Sequence, residues 1–196
     1  MKITYLDHSG FAVEQGGTLL VFDEYNPRPA PGRAGLAGGV VTEADVRAHA
    51  RSALFLSHSH SDHYCREVLA LPFGETVLSG DFPASIPGRR AQEGESFSVL
   101  GLPVRAFGST DLGLSYLVEV DGRRVFHAGD FNLWHWEDES TPQEIAEATE
   151  GFERILADLA DCAAGTIDLA YKAYPPENKQ QFSLSAAELC ETDKWL

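Results

Sequence analysis

Residues 53–64 read Ala53-Leu54-Phe55-Leu56-Ser57-His58-Ser59-His60-Ser61-Asp62-His63-Tyr64. The first four form a short apolar run of the kind that fills a buried strand. The next part packs three imidazoles and one carboxylate into the six residues 58–63. Imidazole and carboxylate are donors that zinc accepts, at about 2.0–2.2 Å. On an extended segment His58, His60 and Asp62 fall on one side, because side chains alternate along it. His63 then points elsewhere, so one loop can serve two metals. The small serines between the donors let the loop pack closely. The other four of the seven histidines lie outside this stretch, so overall abundance does not account for the cluster. Loops beyond the carboxyl ends of buried strands are also where α/β proteins tend to place their sites.

The surrounding sequence supplies more strands. Lys2–Leu6 alternates, and Phe11–Glu14 and Thr18–Phe22 flank Gly16-Gly17, a hairpin signal. Residues 26–39 carry Pro27, Pro29 and Pro31 with four glycines, and read as a loop that could cover a site. Thr42 predicts an N-cap for a helix over 43–50, with Glu43 and Asp45 in its first turn. Residues 66–71 predict a helix that stops at Pro72. Short strands are expected over 76–79, 96–100, 104–107, 115–120 and 124–127, with Asp121-Gly122 as a hairpin turn. Residues 142–160 predict a helix capped by Thr141, with Ile145, Ala148, Phe152, Ile155, Leu156 and Leu159 on one face. A strand over 166–173 and a short helix over 185–192 complete the reading. Many strands with interspersed helices point to a layered α/β protein with its sheets inside. The length suits one domain, residues 1–196.

Composition sets bounds on partners and location. The apolar fraction is 43%, ordinary for a globular protein, and no stretch approaches the roughly 20 apolar residues that span a bilayer. The first residues lack the basic and apolar regions of a signal peptide. Cys65, Cys162 and Cys190 are odd in number and form no CxxC pair, which argues against a disulfide framework and for a reducing cytoplasm. Acidic residues outnumber basic ones 30 to 15, a formal charge of −15. Such a field repels phosphate backbones, so a small molecule is the expected partner rather than nucleic acid or a membrane. A homo-oligomer stays open.

The His-x-His-x-Asp-His pattern after an apolar strand resembles the metallo-β-lactamase superfamily of metallohydrolases. The opening Ile3-Thr4-Tyr5-Leu6-Asp7-His8-Ser9-Gly10-Phe11, with Leu20-Val21-Phe22-Asp23, is similar to the first hairpin of its lactonase-like cytoplasmic branch. Phe126-His127-Ala128-Gly129-Asp130 is similar to the strand whose terminal Asp bridges two metals. The resemblance covers residues 1 to about 175. It implies a four-layer αββα sandwich of metallo-β-lactamase type, with a C-terminal end that could be shortened. It also implies His58 and His60 as ligands of a first metal, Asp62 and His63 as ligands of a second, and Asp130 as the bridge. Asp23 matches a position that supports a ligand histidine from behind, as metal-bound imidazoles generally require.

Two departures stand out. The family supplies a further histidine in the region that here reads Phe107-Gly108-Ser109-Thr110-Asp111, where Ser109, Thr110 or Asp111 could face the metals instead. It supplies a last histidine near the C-terminus, but this chain runs through Tyr174-Pro175-Pro176-Glu177 to Leu196 without one. His127 and His135 are candidates to fill the gaps, the latter in Asn132-Leu133-Trp134-His135-Trp136, where two tryptophans could wall a pocket. His8, after the first strand, could line the site.

The expected function is metal-dependent hydrolysis of an ester, lactone or phosphodiester in a small anionic substrate. One or two Zn2+ ions would activate water, with Asp62 orienting the nucleophile; Mn2+ or Fe also suits these donors. The competing reading is a degenerate, non-catalytic or regulatory metal-binding relative whose lost histidines leave binding without turnover. No GxSxG or GxxxxGKS motif offers a different chemistry.

Overall fold

The computed structural model describes residues 1–132, 140–162 and 167–171. The chain starts with β1 (Lys2–Asp7), β2 (Gly10–Gln15) and β3 (Thr18–Phe22), followed by a 3-10 turn at Gly35–Gly38, α1 (Glu43–Arg47) and β4 (Arg51–Leu56). Next come α2 (Arg66–Leu69), β5 (Glu75–Leu78) and β6 (Arg89–Arg90). The second half holds β7 (Ser96–Val99), β8 (Leu102–Phe107), β9 (Ser115–Val120), β10 (Arg123–His127), α3 (Pro142–Cys162) and β11 (Leu169–Tyr171). One sheet has the order β1-β2-β3-β4-β5-β6 and the other β11-β10-β9-β8-β7.

Three apolar clusters show how the layers stack. Phe11, Phe22, Phe55, Tyr116, Val118 and Val125 pack between the sheets. Phe11 stacks on Phe22 at 4.8 Å and Phe22 on Phe55 at 5.1 Å. The alternate residues Leu19, Val21, Leu54 and Leu56 face the other way, against Val46 of α1 and Val68 of α2. On the far side Phe107, Leu117 and Phe126 receive Phe152, Ile155, Leu156 and Leu159 from α3. The period of 2 along the strands thus fills two interfaces at once, and the result is an αββα sandwich.

Local chemistry explains the helix starts. The Thr42 side chain accepts from the Asp45 N–H while the Asp45 carboxylate accepts from Thr42, a reciprocal cap. Thr141 and Glu144 form the same pair at the start of α3, at 2.7 and 3.3 Å. Some expectations change. The helix predicted to 50 ends at Arg47, the loop over 26–39 contains the 3-10 turn, and β6, a two-residue edge strand, carries no apolar pattern to read. Of the strand expected over 166–173, Leu169–Tyr171 is described, parallel to β10. The helix expected over 185–192 lies outside the described residues.

Strand direction gathers the site. β2 is antiparallel to both β1 and β3, and β4 and β5 continue parallel to β3. The ends of β1, β3, β4 and β5 therefore share one edge. In the other sheet β9 is antiparallel to β8 and β10, which puts residues 108–111 and 128–130 together.

Candidate metal centre

The segment after β4 does not stay extended. Residues 61–63 form a turn, closed by a 3.1 Å hydrogen bond from the His63 N–H to the His60 carbonyl. The turn overrides simple alternation and swings His63 back beside His58, with ring centroids 3.9 Å apart. His58 and His63 are fully buried, whereas His60 and Asp62 stand exposed at the rim.

Asp23 anchors this arrangement. It follows β3 in a left-handed conformation, φ 45°, that few non-glycine residues adopt. Its fully buried carboxylate accepts from the Ser57 N–H at 2.8 Å and the Ser57 hydroxyl at 2.6 Å. The same carboxylate lies 2.9 Å from His63 Nδ1 and 2.7 Å from His127 Nε2. Burial alone would raise the Asp23 carboxyl. The charge and hydrogen bond of His127, together with those of His63, instead hold it far below the usual carboxylate range. With Nδ1 of His63 occupied by Asp23, its Nε2 faces the site.

That Nε2 and the Nε2 of His58 are buried, and among the described residues neither has a partner in good hydrogen-bond geometry. Both face Asp130, at 3.2 Å for His63 and 3.7 Å for His58. The two face different oxygens, Oδ1 for His63 and Oδ2 for His58. Two atoms bound tetrahedrally to one zinc ion at about 2.1 Å lie about 3.4 Å apart, so each imidazole is spaced to share a cation with the carboxylate oxygen it faces. Burial and the neighbouring His63 push the His58 imidazole below its ordinary pKa. Burial also works against the charged form of His63, but the carboxylates of Asp130 and Asp23 outweigh it and push its pKa up to about 10. Burial would raise Asp130 as well, yet His63 holds it below the usual range.

Two further donors join the expected ones. His58, His60 and Asp111 bring one donor atom each within 4.8 Å of one another, and so do His8, Asp62 and His63. His60 Nδ1 is 4.0 Å from Asp111 Oδ2, and His8 Nε2 is 3.7 Å from Asp62 Oδ2. A third set consists of His58, His63 and Asp130. Asp111 and His8 thus lie beside donor pairs that lacked a third member. Ser109 has a different place: its hydroxyl accepts from the Asp111 N–H at 3.3 Å and supports the turn that carries Asp111. His127 is corrected too. It points away from the donors, behind Asp23 and against the rings of Phe11 and Phe22 at 5.4 and 5.1 Å. Its strand alternation sends it into the space between the sheets. His135 lies outside the described residues.

Several supports were not evident from the sequence. Asp81, just beyond β5, accepts from the Ser59 N–H at 2.7 Å and so holds the loop between His58 and His60. Its position after a strand end, like that of Asp23 and Asp130, is the signal that could have found it. Ser9 Oγ lies 3.1 Å from His63 Nδ1. Gly113, φ 85°, lets the backbone press against the loop, since a Cβ there would sit 2.1 Å from the Ser57 carbonyl oxygen and 2.5 Å from His58 Cβ. Gly129 closes in from the other side, where a Cβ would lie 2.7 Å from that of Ser57. Thr110 and Asn132 tie the Asp111 turn to the loop after Asp130 through reciprocal hydrogen bonds.

The family described as Beta-lactamase superfamily domain matches residues 2–146. The chain belongs to this superfamily. Its similarity to a UPF0173 metal-dependent hydrolase of Korarchaeum cryptofilum is 30% identity over 150 residues, 69% of this chain and 62% of the relative. A metal-dependent hydrolase of Thermus thermophilus is 26% identical over 156 residues, covering 68% of this chain and 63% of the relative. The matched region therefore spans less than two thirds of the length of these curated relatives. Among solved structures, Igni18, a metallo hydrolase from Ignicoccus hospitalis, aligns with a TM-score of 0.52 at 20% identity, covering 67% of this chain and 61% of that one. Rm3 metallo-beta-lactamase aligns at 0.53 with 14% identity over 100% of this chain and 92% of its own. The fold is that of the metallo-β-lactamases, as the histidine motif implied. No described helix is long and apolar enough to cross a membrane.

Proposed function

We propose that the chain is a hydrolase that uses two divalent metal ions, zinc by the chemistry of its donors, to cleave an ester, lactone or phosphodiester of a small anionic molecule. The observation that carries this reading is the pair of buried imidazole nitrogens, Nε2 of His58 and of His63, aimed at the Asp130 carboxylate. Leaving a buried nitrogen such as His58 Nε2 without a hydrogen-bond partner costs about 1–3 kcal/mol, which a bound cation would recover. His58, His60 and Asp111 would hold one ion, and His8, Asp62 and His63 the other, with Asp130 between them. Held there, divalent ions would supply Lewis acidity, lowering the pKa of bound water and polarising the electrophile.

The remaining work falls to the chain. Asp23 fixes the tautomer and tilt of His63, and Asp81 fixes the main chain between His58 and His60. Asp62, at the exposed rim, is placed to accept a hydrogen bond from the attacking water and to steer it. The binding-only reading rested on absent histidines, and His8 and Asp111 supply donors at the pairs concerned. The names of the relatives, metal-dependent hydrolases, point the same way.

The test uses protein purified without chelators and assayed on a generic phosphodiester and a generic lactone. Turnover should disappear on chelation and in His60→Ala and Asp130→Ala, and return when metal is restored to the wild type alone. Metal-loaded protein that turns over nothing across a broad ester panel would defeat the hydrolase reading in favour of binding alone.

A further inference from the structure

Residues 26–39 form one wall of a cleft whose other wall is β1, which among the described residues is an edge strand bonded to β2 alone. The cleft has a volume of about 610 Å³, within the range of small-molecule sites. Arg28 and Arg33 line it, with Asn26, Asp7, Leu36 and Gly39. Gly39, φ 79°, takes the left-handed turn that glycine adopts readily and lies in ordinary contact with the strand at the Tyr5 carbonyl.

The two arginines differ from most others in this acidic chain. Arg47, Arg51, Arg89, Arg105, Arg123 and Arg154 each lie within ion-pair distance of a carboxylate. Among the described residues Arg28 and Arg33 pair with none. The Arg33 guanidinium makes a long contact, 3.5 Å, to the Ala37 carbonyl, and the Arg28 main chain is fixed by a 3.1 Å bond to Asn26 Oδ1. The carboxylate in the cleft, Asp7, is already engaged, accepting from the His8 N–H at 2.9 Å, Asn26 Nδ2 at 2.9 Å and the Tyr25 hydroxyl at 3.3 Å.

The cleft also adjoins the metal centre. Asp7 lines it and is bonded to His8, whose ring lies 3.7 Å from Asp62 and edge-on to Tyr25. Asp7 and His8 both carry positive φ, 144° and 46°, which turns the chain sharply from the cleft into the centre.

Resting on the hydrolase reading, we infer that this cleft binds a distal anionic group, carboxylate or phosphate, of the molecule cleaved at the metal centre, and that Arg28 and Arg33 receive it. A net charge of −15 repels an anion at long range, so a substrate of that class needs local cations. Guanidinium forks match the paired oxygens of carboxylate and phosphate. The Pro- and Gly-rich loop thereby acquires a role in selecting substrate.

The experiment compares metal-loaded wild type with R28Q/R33Q and R28K/R33K on p-nitrophenyl acetate and mono-p-nitrophenyl glutarate. For the glutarate ester, KM should rise roughly tenfold in R28Q/R33Q with kcat within twofold, and recover in part in R28K/R33K. The acetate ester should be unaffected. In parallel, calorimetric titration with glutarate and with inorganic phosphate shows which anion the cleft takes, and its affinity should fall roughly tenfold in R28Q/R33Q. Equal KM changes for both esters, or unchanged affinity for both anions, overturn the inference. If neither ester is cleaved, the hydrolase reading is judged by its own substrate panel, and the titration alone decides the cleft: an affinity for both anions that is unchanged in R28Q/R33Q overturns the inference.

Discussion

Replacing Asp23 by Asn tests how much of the metal centre depends on one buried carboxylate. In the wild type Oδ2 faces three donors, Ser57 Oγ, His63 Nδ1 and His127 Nε2, at 2.6, 2.9 and 2.7 Å, while Oδ1 accepts from the Ser57 N–H. An amide has one acceptor oxygen, so either the single donor or the set of three meets an NH2 group. The Ser57 hydroxyl can rotate away, but the two imidazoles are fully buried and cannot reach water. Losing one charge-assisted buried bond and stranding its donor costs about 2–4 kcal/mol. Releasing His63 from its orienting partner should weaken metal binding roughly 10–100-fold. Denaturant unfolding of the metal-free proteins measures the first effect, and competition with a chelator of known affinity measures the second. An Asp23→Asn protein within about 0.5 kcal/mol of wild type, holding metal equally well, would refute the role assigned to this carboxylate.

Two other substitutions probe the scaffold. Gly113→Ala places a methyl group 2.1 Å from the Ser57 carbonyl oxygen at φ 85°, so it should cost about 2–4 kcal/mol and loosen metal binding; unfolding midpoints at the wild-type value would contradict the close approach. Glu24 is largely buried, with one oxygen 2.7 Å from the Val41 N–H and the other unbonded, and burial raises its pKa from 4.5 to about 7. The folded state therefore holds this proton more tightly than the unfolded chain. The associated stability is complete below pH 4.5 and is lost as pH rises through about 7, amounting to about 3 kcal/mol at most. Glu24→Gln keeps an acceptor for Val41 and carries no charge. Its stability relative to wild type should improve between pH 5 and pH 8, and a difference that stays flat over that range counts against the raised pKa.

The parts legible in the sequence were those set by local pattern. The strands over 18–22 and 115–120 announce themselves by apolar runs and flanking turns, and the structure places them at Thr18–Phe22 and Ser115–Val120. Thr42 and Thr141 could be read as caps because capping depends on residues three apart. Asp23 and Asp130 are singled out by the resemblance of their segments to the superfamily and not by local pattern alone. What local pattern cannot carry is direction in space. The turn at 61–63 brings His63 next to His58, against the alternation of an extended chain. Whether His127 faces the metals or the space between the sheets depends on the register of β10 against β9. Asp81 and Gly113 act on the loop from 22 and more than 50 residues away, through bonds and close approaches that only the assembled sheets create. Asp111 and His8 were visible as candidates, but their pairing with His60 and Asp62 is a matter of three-dimensional distance.

Counting the metals by mass spectrometry of the protein under native conditions tests the central claim most directly. The wild type should carry two divalent ions per chain, with Asp111→Ala and His8→Ala each retaining about one, because each variant removes a donor from a different set. A wild type that holds a single ion when metal is in excess, or variants that both keep two, would contradict the assignment of His8 and Asp111 to the two sites.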